Sequence, residues 1–353
     1  MHMADALVSP AVGGILWAVS GGLLAFCARD LRKTPRDNLV PLMGVLGAFV
    51  FAVQMINFTI PGTGSSGHLG GGLLLAILLG PNPAFLVLAS ILTVQAFFFA
   101  DGGLLTLGCN LFNLGFFPAF VAYPLLYRPI AGTSPDPARI WTASIIAAIA
   151  GLQLGAFGVV LETRLSGLSA LPFQTFLLVM LPIHLAIGAV EGIATAAIVT
   201  FVIKARPTVF ASSSEPGTLR PILPGLALAA LLAGGAASWF ASTHPDGLEW
   251  SLARITGNKE MIRPASEIHN QLAHLQERTA FLPDYGFRPA QHETTPAASE
   301  TSAWPAVNAG TSLAGIVGGI VTLALAGIAG LALKAIPLRH KTAEQSRAGG
   351  EHP

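Results

Sequence analysis

The strongest constraint on this chain is a series of long apolar runs. A helix that crosses a bilayer needs about 20 apolar residues, because hydrocarbon offers no partner to an unpaired backbone group. Such runs cover residues 11–28, 39–57, 68–81, 84–100, 103–127, 140–161, 173–203, 222–242 and 309–333. The third is short and rich in Gly, and is expected to pack against protein or to start below the membrane surface. Hydrophobic residues make up 52% of the 353 and charged residues only 10%, against about 25% charged in soluble domains. The expected fold class is all-α: a polytopic transmembrane helical bundle of about seven spans plus a C-terminal two-span unit with an extracytoplasmic segment.

A net charge of +1 leaves no basic surplus to neutralise phosphates, which argues against nucleic acid as a partner and for the lipid bilayer. Cys27 and Cys109 both lie in apolar runs, so neither a disulfide framework nor a CxxC metal site is expected. The amino terminus carries no Lys or Arg before its first apolar run, unlike an ordinary signal peptide, and is expected to stay on the mature protein. With that terminus outside, thirteen of the nineteen Lys and Arg fall on inside segments, as the positive-inside rule requires. The expected location is the bacterial plasma (inner) membrane, multi-pass, with the C-terminus cytoplasmic. Residues 1–203 read as one compact membrane unit and 204–221 as a polar cytoplasmic linker. Residues 222–333 read as a second unit, whose exterior segment 243–308 holds an amphipathic stretch with Ile268, Leu272 and Leu275 on one face. Residues 334–353 read as a cytoplasmic tail.

The opening MHMADALVSP has a specific coordinating ability. The α-amine of Met1, the amide nitrogen of His2 if it deprotonates and an imidazole nitrogen of His2 can close two fused chelate rings around one cation. A fourth nitrogen would complete a square, a geometry suited to Ni(II) or Cu(II) and open to Co(II), whereas Zn(II) prefers a tetrahedron. The candidate fourth donor is His68 in INFTIPGTGSSGHLGGG, which belongs to the same membrane face. A frayed terminus and a helix-start histidine are the plain alternatives. GTGSSG lacks the GKS or GKT ending of a phosphate loop.

Several motifs in order carry a family resemblance: MHMADALVSP, FVFAVQMINFTIPGTGSSGHLGGGLLLAILLGP, LTVQAFFFADGGLLTLGCNLFNLGFFPAF and PIHLAIGAVEGIATA. They resemble the CbiM/NikM-type substrate-capture (S) component of cobalt or nickel energy-coupling-factor (ECF) transporters, over most of residues 1–203. The resemblance implies that Met1, His2 and His68 bind Ni2+ or Co2+ in a buried square-planar site. It further implies a transmembrane coupling subunit (CbiQ/NikQ-like) and a separate ABC ATPase (CbiO/NikO-like) as partners, since no Walker A motif is present in this chain. The terminus reads MHMAD where the family often has MHIPDG, so Ala4 replaces a proline. HPDGLEW, FLPDYGF and AGTSLAGIVGGIVTL resemble the PDGLE domain, which takes the place of a small CbiN/NikN partner associated with metal loading.

The other polar residues have alternative duties. Asp101 and Asp5 are candidates to accept the second N–H of a ligating imidazole, or to serve as a helix-end carboxylate and a helix cap. Asn57 and Ser66 are expected near the pocket; Gln54, Gln95, Asn110 and Asn113 suit interhelical hydrogen bonds. His184 and Glu191 share a helix face and are expected to form an ion pair or a coupling contact. Exterior His244, His269, His274 and His292 read as loop polarity. Gly315, Gly318 and Gly319 suit close contacts with partner helices. The rival readings are a proton-coupled secondary transporter, for which titratable intramembrane residues are few, and an intramembrane metal hydrolase, for which HExxH is missing.

Overall fold

A computed structural model describes residues 1–33, 39–133, 136–205, 222–257, 266–288 and 304–335. The first unit contains α1 (Pro10–Lys33), α2 (Leu39–Gln54), α3 (Gly72–Leu79), α4 (Pro81–Phe98), α5 (Leu107–Ala131), α6 (Pro137–Ser166) and α7 (Phe173–Ala205). The strands β1 (Phe58–Ile60) and β2 (Ser65–Gly67) pair antiparallel between α2 and α3. Helix starts follow local chemistry. Proline opens α4 and α6, where its missing N–H costs nothing, and the Asp136 carboxylate accepts from Arg139 N at 2.9 Å at the head of α6. Residues Phe112–Tyr127 of α5 wind as a π-helix through Pro118 and Pro124, which cannot donate to a regular ladder.

Among the described residues, six helices are long and apolar enough to cross a bilayer: α1, α4, α5, α6, α7 and Ala309–Leu333. Nine runs were expected. The segment 39–57 forms a helix only to Gln54, 222–242 only from Leu223 to Gly235, and 68–81 only the eight residues of α3. The reason is backbone accounting. α3 has almost every side chain buried inside the bundle, and helix enclosed by protein need not match the bilayer's thickness. α6 and α7 pack along each other through Gly188 and Gly192. A Cβ there would lie 2.9 Å from Ile149 Cα and 2.5 Å from Ile145 Cα. Cys27 and Cys109 are buried free thiols, as expected.

The second unit contains α8 (Leu223–Gly235), α9 (Gly247–Thr256), α10 (Glu267–Thr279) and α11 (Ala309–Ala335), with one-turn 3-10 helices at Ala237–Phe240 and Pro283–Tyr285. α11 packs along α2 and α8. Gly234 and Gly315 meet backbone to backbone, a Cβ on Gly234 falling 3.0 Å from Gly315 C. A Cβ on Gly318 would strike the rings of Phe51 and Phe99. These glycines therefore close the chain's own helix crossings, where contacts with partners were expected. α10 departs from expectation in part: Leu272 packs against the core, but Ile268 and Leu275 are exposed, while His269 and Ala273 are buried. Its inner face also meets the amino-terminal arm through His269. Residues 206–221 of the linker, 289–303 with His292, and the tail beyond 335 lie outside the described residues.

Replacing Gly234 by Val should force α8 and α11 apart at a cost of about 1–3 kcal/mol, the usual penalty of overpacking. The expected readout is a lower thermal unfolding temperature in detergent, with Gly225→Val, which meets nothing within 4 Å, as the unaffected comparison.

Candidate metal centre

The amino-terminal arm is threaded into the protein. Met1 and Met3 are buried. The Met3 N–H donates to Asn110 Oδ1 at 2.8 Å, and its carbonyl accepts from Gly103 N at 2.9 Å and Thr106 Oγ at 2.6 Å. Asp5 Oδ1 accepts from Thr106 N at 3.0 Å. Asp5 thus binds the turn before α5 and touches neither imidazole. A Cβ on Gly103 would collide with the Asp5 carboxylate, which explains the glycine in ADGGLLT.

The arm brings Met1 and His2 to the loop after β2. The His2 and His68 rings stack with centroids 5.1 Å apart and planes 17° from parallel. His68 Nδ1 lies 3.2 Å from Leu69 O, the arrangement in which Nδ1 donates and Nε2 keeps its lone pair. Burial first, then the nearby Met1 ammonium and His2, push the His68 imidazole down to about 3, so it is neutral across ordinary pH. His2 Nδ1 lies 2.9 Å from Asp101 Oδ1, and its buried Nε2 meets no hydrogen-bond partner. Asp101 therefore meets His2 at Nδ1. Its other oxygen accepts from Tyr285 Oη at 2.6 Å. Burial alone would raise the Asp101 carboxyl; His2 and Tyr285 outweigh it and leave the group below the usual carboxylate range.

The Met1 ammonium donates to Asp246 Oδ2 at 2.7 Å. Asp246 belongs to the HPDGLEW stretch of the second unit and also caps α9, its Oδ1 accepting from Leu248 N and Glu249 N, both at 2.8 Å. The ammonium and these N–H groups overcome the upward push of burial and hold the Asp246 carboxyl below the usual range. Ser66 ties the hairpin to the same stretch: its N–H donates to Pro245 O at 2.8 Å and its hydroxyl to His244 O at 2.7 Å. Asn57 lines the cavity of about 780 Å³ that borders His2, His68, Asp101 and Asp246, and its carbonyl accepts from Ser242 N at 2.7 Å.

Sequence reasoning missed the contacts of four groups here. Asp246 carries the signature of a capping box, Asp followed three places on by Glu, but nothing in the spacing links it to Met1. Tyr285 reaches Asp101 from an equally distant stretch. His269, read as loop polarity, is buried, with Nε2 3.1 Å from Asp5 O and 3.0 Å from Val8 O. Glu191, read with His184 as an ion pair or a coupling contact, does not pair with His184 and accepts from Gly70 N and Gly71 N, both at 3.0 Å. His184 turns to Met180 O at 2.8 Å, and its Nε2 is buried without a partner beside Gly247. Among the described residues, no three His, Cys, Asp or Glu side chains are grouped to hold a metal ion.

Residues 2–209 match the family described as cobalt uptake substrate-specific transmembrane region, which is CbiM. The chain belongs to the CbiM family. Its residues 220–335 match the PDGLE domain. The chain is 33% identical to a NikMN protein of Archaeoglobus fulgidus over 92% of its own length and 96% of the relative's. It is 28% identical to the fused nickel transport protein NikMN of Rhodobacter capsulatus over 81% and 88%, and 31% identical to the cobalt transport protein CbiM of Sorangium cellulosum over 59% and 94%. The crystal structure of a truncated transition metal transporter superimposes with a TM-score of 0.52 at 29% identity, covering 58% of this chain and 99% of that one. The protein is thus a multi-pass membrane protein of a metal transport family, with a CbiM part and a PDGLE part in one chain.

Asp246→Asn should leave the buried ammonium facing a neutral amide, and unpairing a buried charge costs about 3–5 kcal/mol. Because the Asp246 carboxyl is depressed, the pair's contribution is complete above the ordinary carboxylate value of about 4 and is lost as pH falls through the lower native value. Thermal unfolding should therefore show the variant less stable than the parent from pH 7 down to 4, with the gap closing only in stronger acid.

Proposed function

We propose that this chain captures Ni2+ or Co2+ on the outer face of the membrane as the S component of an ATP-driven ECF transporter, with Met1, His2 and His68 holding the cation. The observation that supports this most is the burial of the first two residues against the loop histidine. A five-membered ring links the Met1 amine to the His2 amide nitrogen. A six-membered ring reaches from that nitrogen to His2 Nδ1, and His68 Nε2 is free to supply a fourth nitrogen. Four nitrogens in a plane suit Ni(II), and the imidazole-rich set also takes Co(II).

The chain's own residues prepare those donors. Asp246 draws the amine into the bundle and Asp101 takes the His2 Nδ1 hydrogen bond, so a carboxylate faces each of these two groups. Loading exchanges these partners for the metal. The ammonium and the amide each give up a proton on binding, which links affinity to pH. Energy comes from an ABC ATPase joined through a transmembrane coupling subunit, with the amino terminus extracytoplasmic and the carboxyl terminus cytoplasmic. The relatives' names as nickel and cobalt transport proteins support the cargo.

The test is calorimetric titration of the full chain, beginning at a free Met1, with Ni2+, Co2+, Cu2+ and Zn2+. His2→Ala removes the imidazole that closes the six-membered ring and should weaken Ni2+ binding by about a hundredfold or more; His68→Ala should be nearly as damaging and His274→Ala neutral. Unaltered affinity in the His2→Ala form would overturn the donor assignment. Affinity should also fall steadily from pH 8 to pH 6, since protons compete for the amine and the amide. Uptake of radioactive nickel by cells lacking coupling and ATPase subunits would overturn the ATP-driven reading.

A further inference from the structure

Glu191 is a carboxylate in the middle of α7, 1% exposed, and an ionisable group inside a membrane helix is expensive unless something nearby uses it. Among the described residues, its carboxylate meets no cation. Its two oxygens accept from two consecutive backbone groups, Gly70 N and Gly71 N, both at 3.0 Å. Two hydrogen bonds on adjacent amides fix the orientation of the peptide between them.

That peptide lies two residues after His68. The same stretch is gripped from the other side by Gln54, whose Nε2 donates to Gly70 O at 2.8 Å while its Oε1 accepts from Gln95 Nε2 at 2.8 Å. On the other flank of the histidine, Gly67 lies so close to α7 that a Cβ would come within 2.5 Å of Ile187 Cγ1. Ile187 and Glu191 are one turn apart on the same helix. His68 is thus bracketed by α7: an apolar contact one residue before it, and a two-pronged carboxylate two and three residues after it. The glycines are required by this fit. Gly71 has φ +74°, and a Cβ on Gly70 would lie 3.2 Å from Glu191 Oε2.

We infer that Glu191 is a positioning residue of the metal centre, its carboxylate fixing the peptide that carries His68 so that the loop imidazole is presented at one place to the amino-terminal arm. The inference rests on the donor set proposed above. It gives the buried charge a task that neither an ion pair nor direct ligation supplies. Glu191→Gln keeps the size, but its amide NH2 then faces one of the two backbone N–H groups, and the loop loses a tether.

The experiment is a double-mutant cycle on the full chain in detergent, titrated with Ni2+ and followed by calorimetry and by the visible ligand-field absorption of the bound ion. Glu191→Gln should weaken binding by about 10- to 100-fold, the usual effect of losing a group that supports a ligand, and should shift the absorption band. In a His68→Ala background the same substitution should change the affinity by less than about twofold, because its route to the metal is already gone. Gly70→Ala, which crowds the carboxylate without removing it, should reproduce both results and serves if Glu191→Gln does not fold. An unchanged affinity and spectrum in these variants would overturn the inference, as would a loss equally large with and without His68. If His68→Ala itself binds Ni2+ like the parent, the donor set fails; if His68→Ala is impaired and the Glu191 and Gly70 variants are not, only the positioning role fails.

Discussion

The arrangement depends on one buried ion pair, between the first nitrogen of the chain and Asp246. An ammonium cannot enter the interior without a partner, because the loss of hydration is larger than any packing gain. Asp246 is the partner, and it is 245 residues away in sequence. Once that pair forms, His2 is carried beside His68 and Asp101, Met3 is locked by Asn110 and Thr106, and Met1 and Met3 are converted from a loose end into part of the core. The α9 helix is fixed by the same event, since the carboxylate that holds the amine also caps that helix.

Four other buried or partly buried acids follow one rule among the described residues: each is met by N–H or O–H donors and not by a lysine or arginine. Asp101 has His2 and Tyr285, Glu162 has Asn113 at 2.9 Å, Glu191 has Gly70 and Gly71, and Asp5 has Thr106. A bundle with so few charged residues can place carboxylates inside only where fixed dipoles solvate them. Several of those dipoles belong to the arm and the loop, which makes electrostatic solvation and site geometry one problem.

The features legible in the sequence were those with a local signature. Apolar runs announced a membrane bundle, and the five long helices of the first unit lie where those runs were. Met1, His2 and His68 stood out through donor chemistry, and the structure places them together; Asp101 also meets an imidazole. Features made by distant contacts were not legible. Asp246 and Tyr285 join the centre from the second unit, and no periodicity signals which carboxylate meets an amine far away in the chain. His269 looked like loop polarity because its partners, the carbonyls of Asp5 and Val8, exist only once the arm is folded in. The glycines of α11 had the spacing of a partner interface, yet that spacing serves equally for α8 and Phe51 of the same chain. Helix lengths failed for a related reason: α2 and α3 are apolar enough for lipid, but enclosure by protein removes the requirement of length.

The second unit reaches the arm at three places: Asp246 on the amine, His269 on the carbonyls of residues 5 and 8, and Tyr285 through Asp101. Because a covalent connection joins it to the first unit, these contacts are intramolecular, and their effective concentration is set by that connection instead of by encounter in the bilayer. Expression level drops out of the equilibrium: every copy of the first unit is made with its own clasp at hand, in a ratio that dilution of the membrane leaves unchanged.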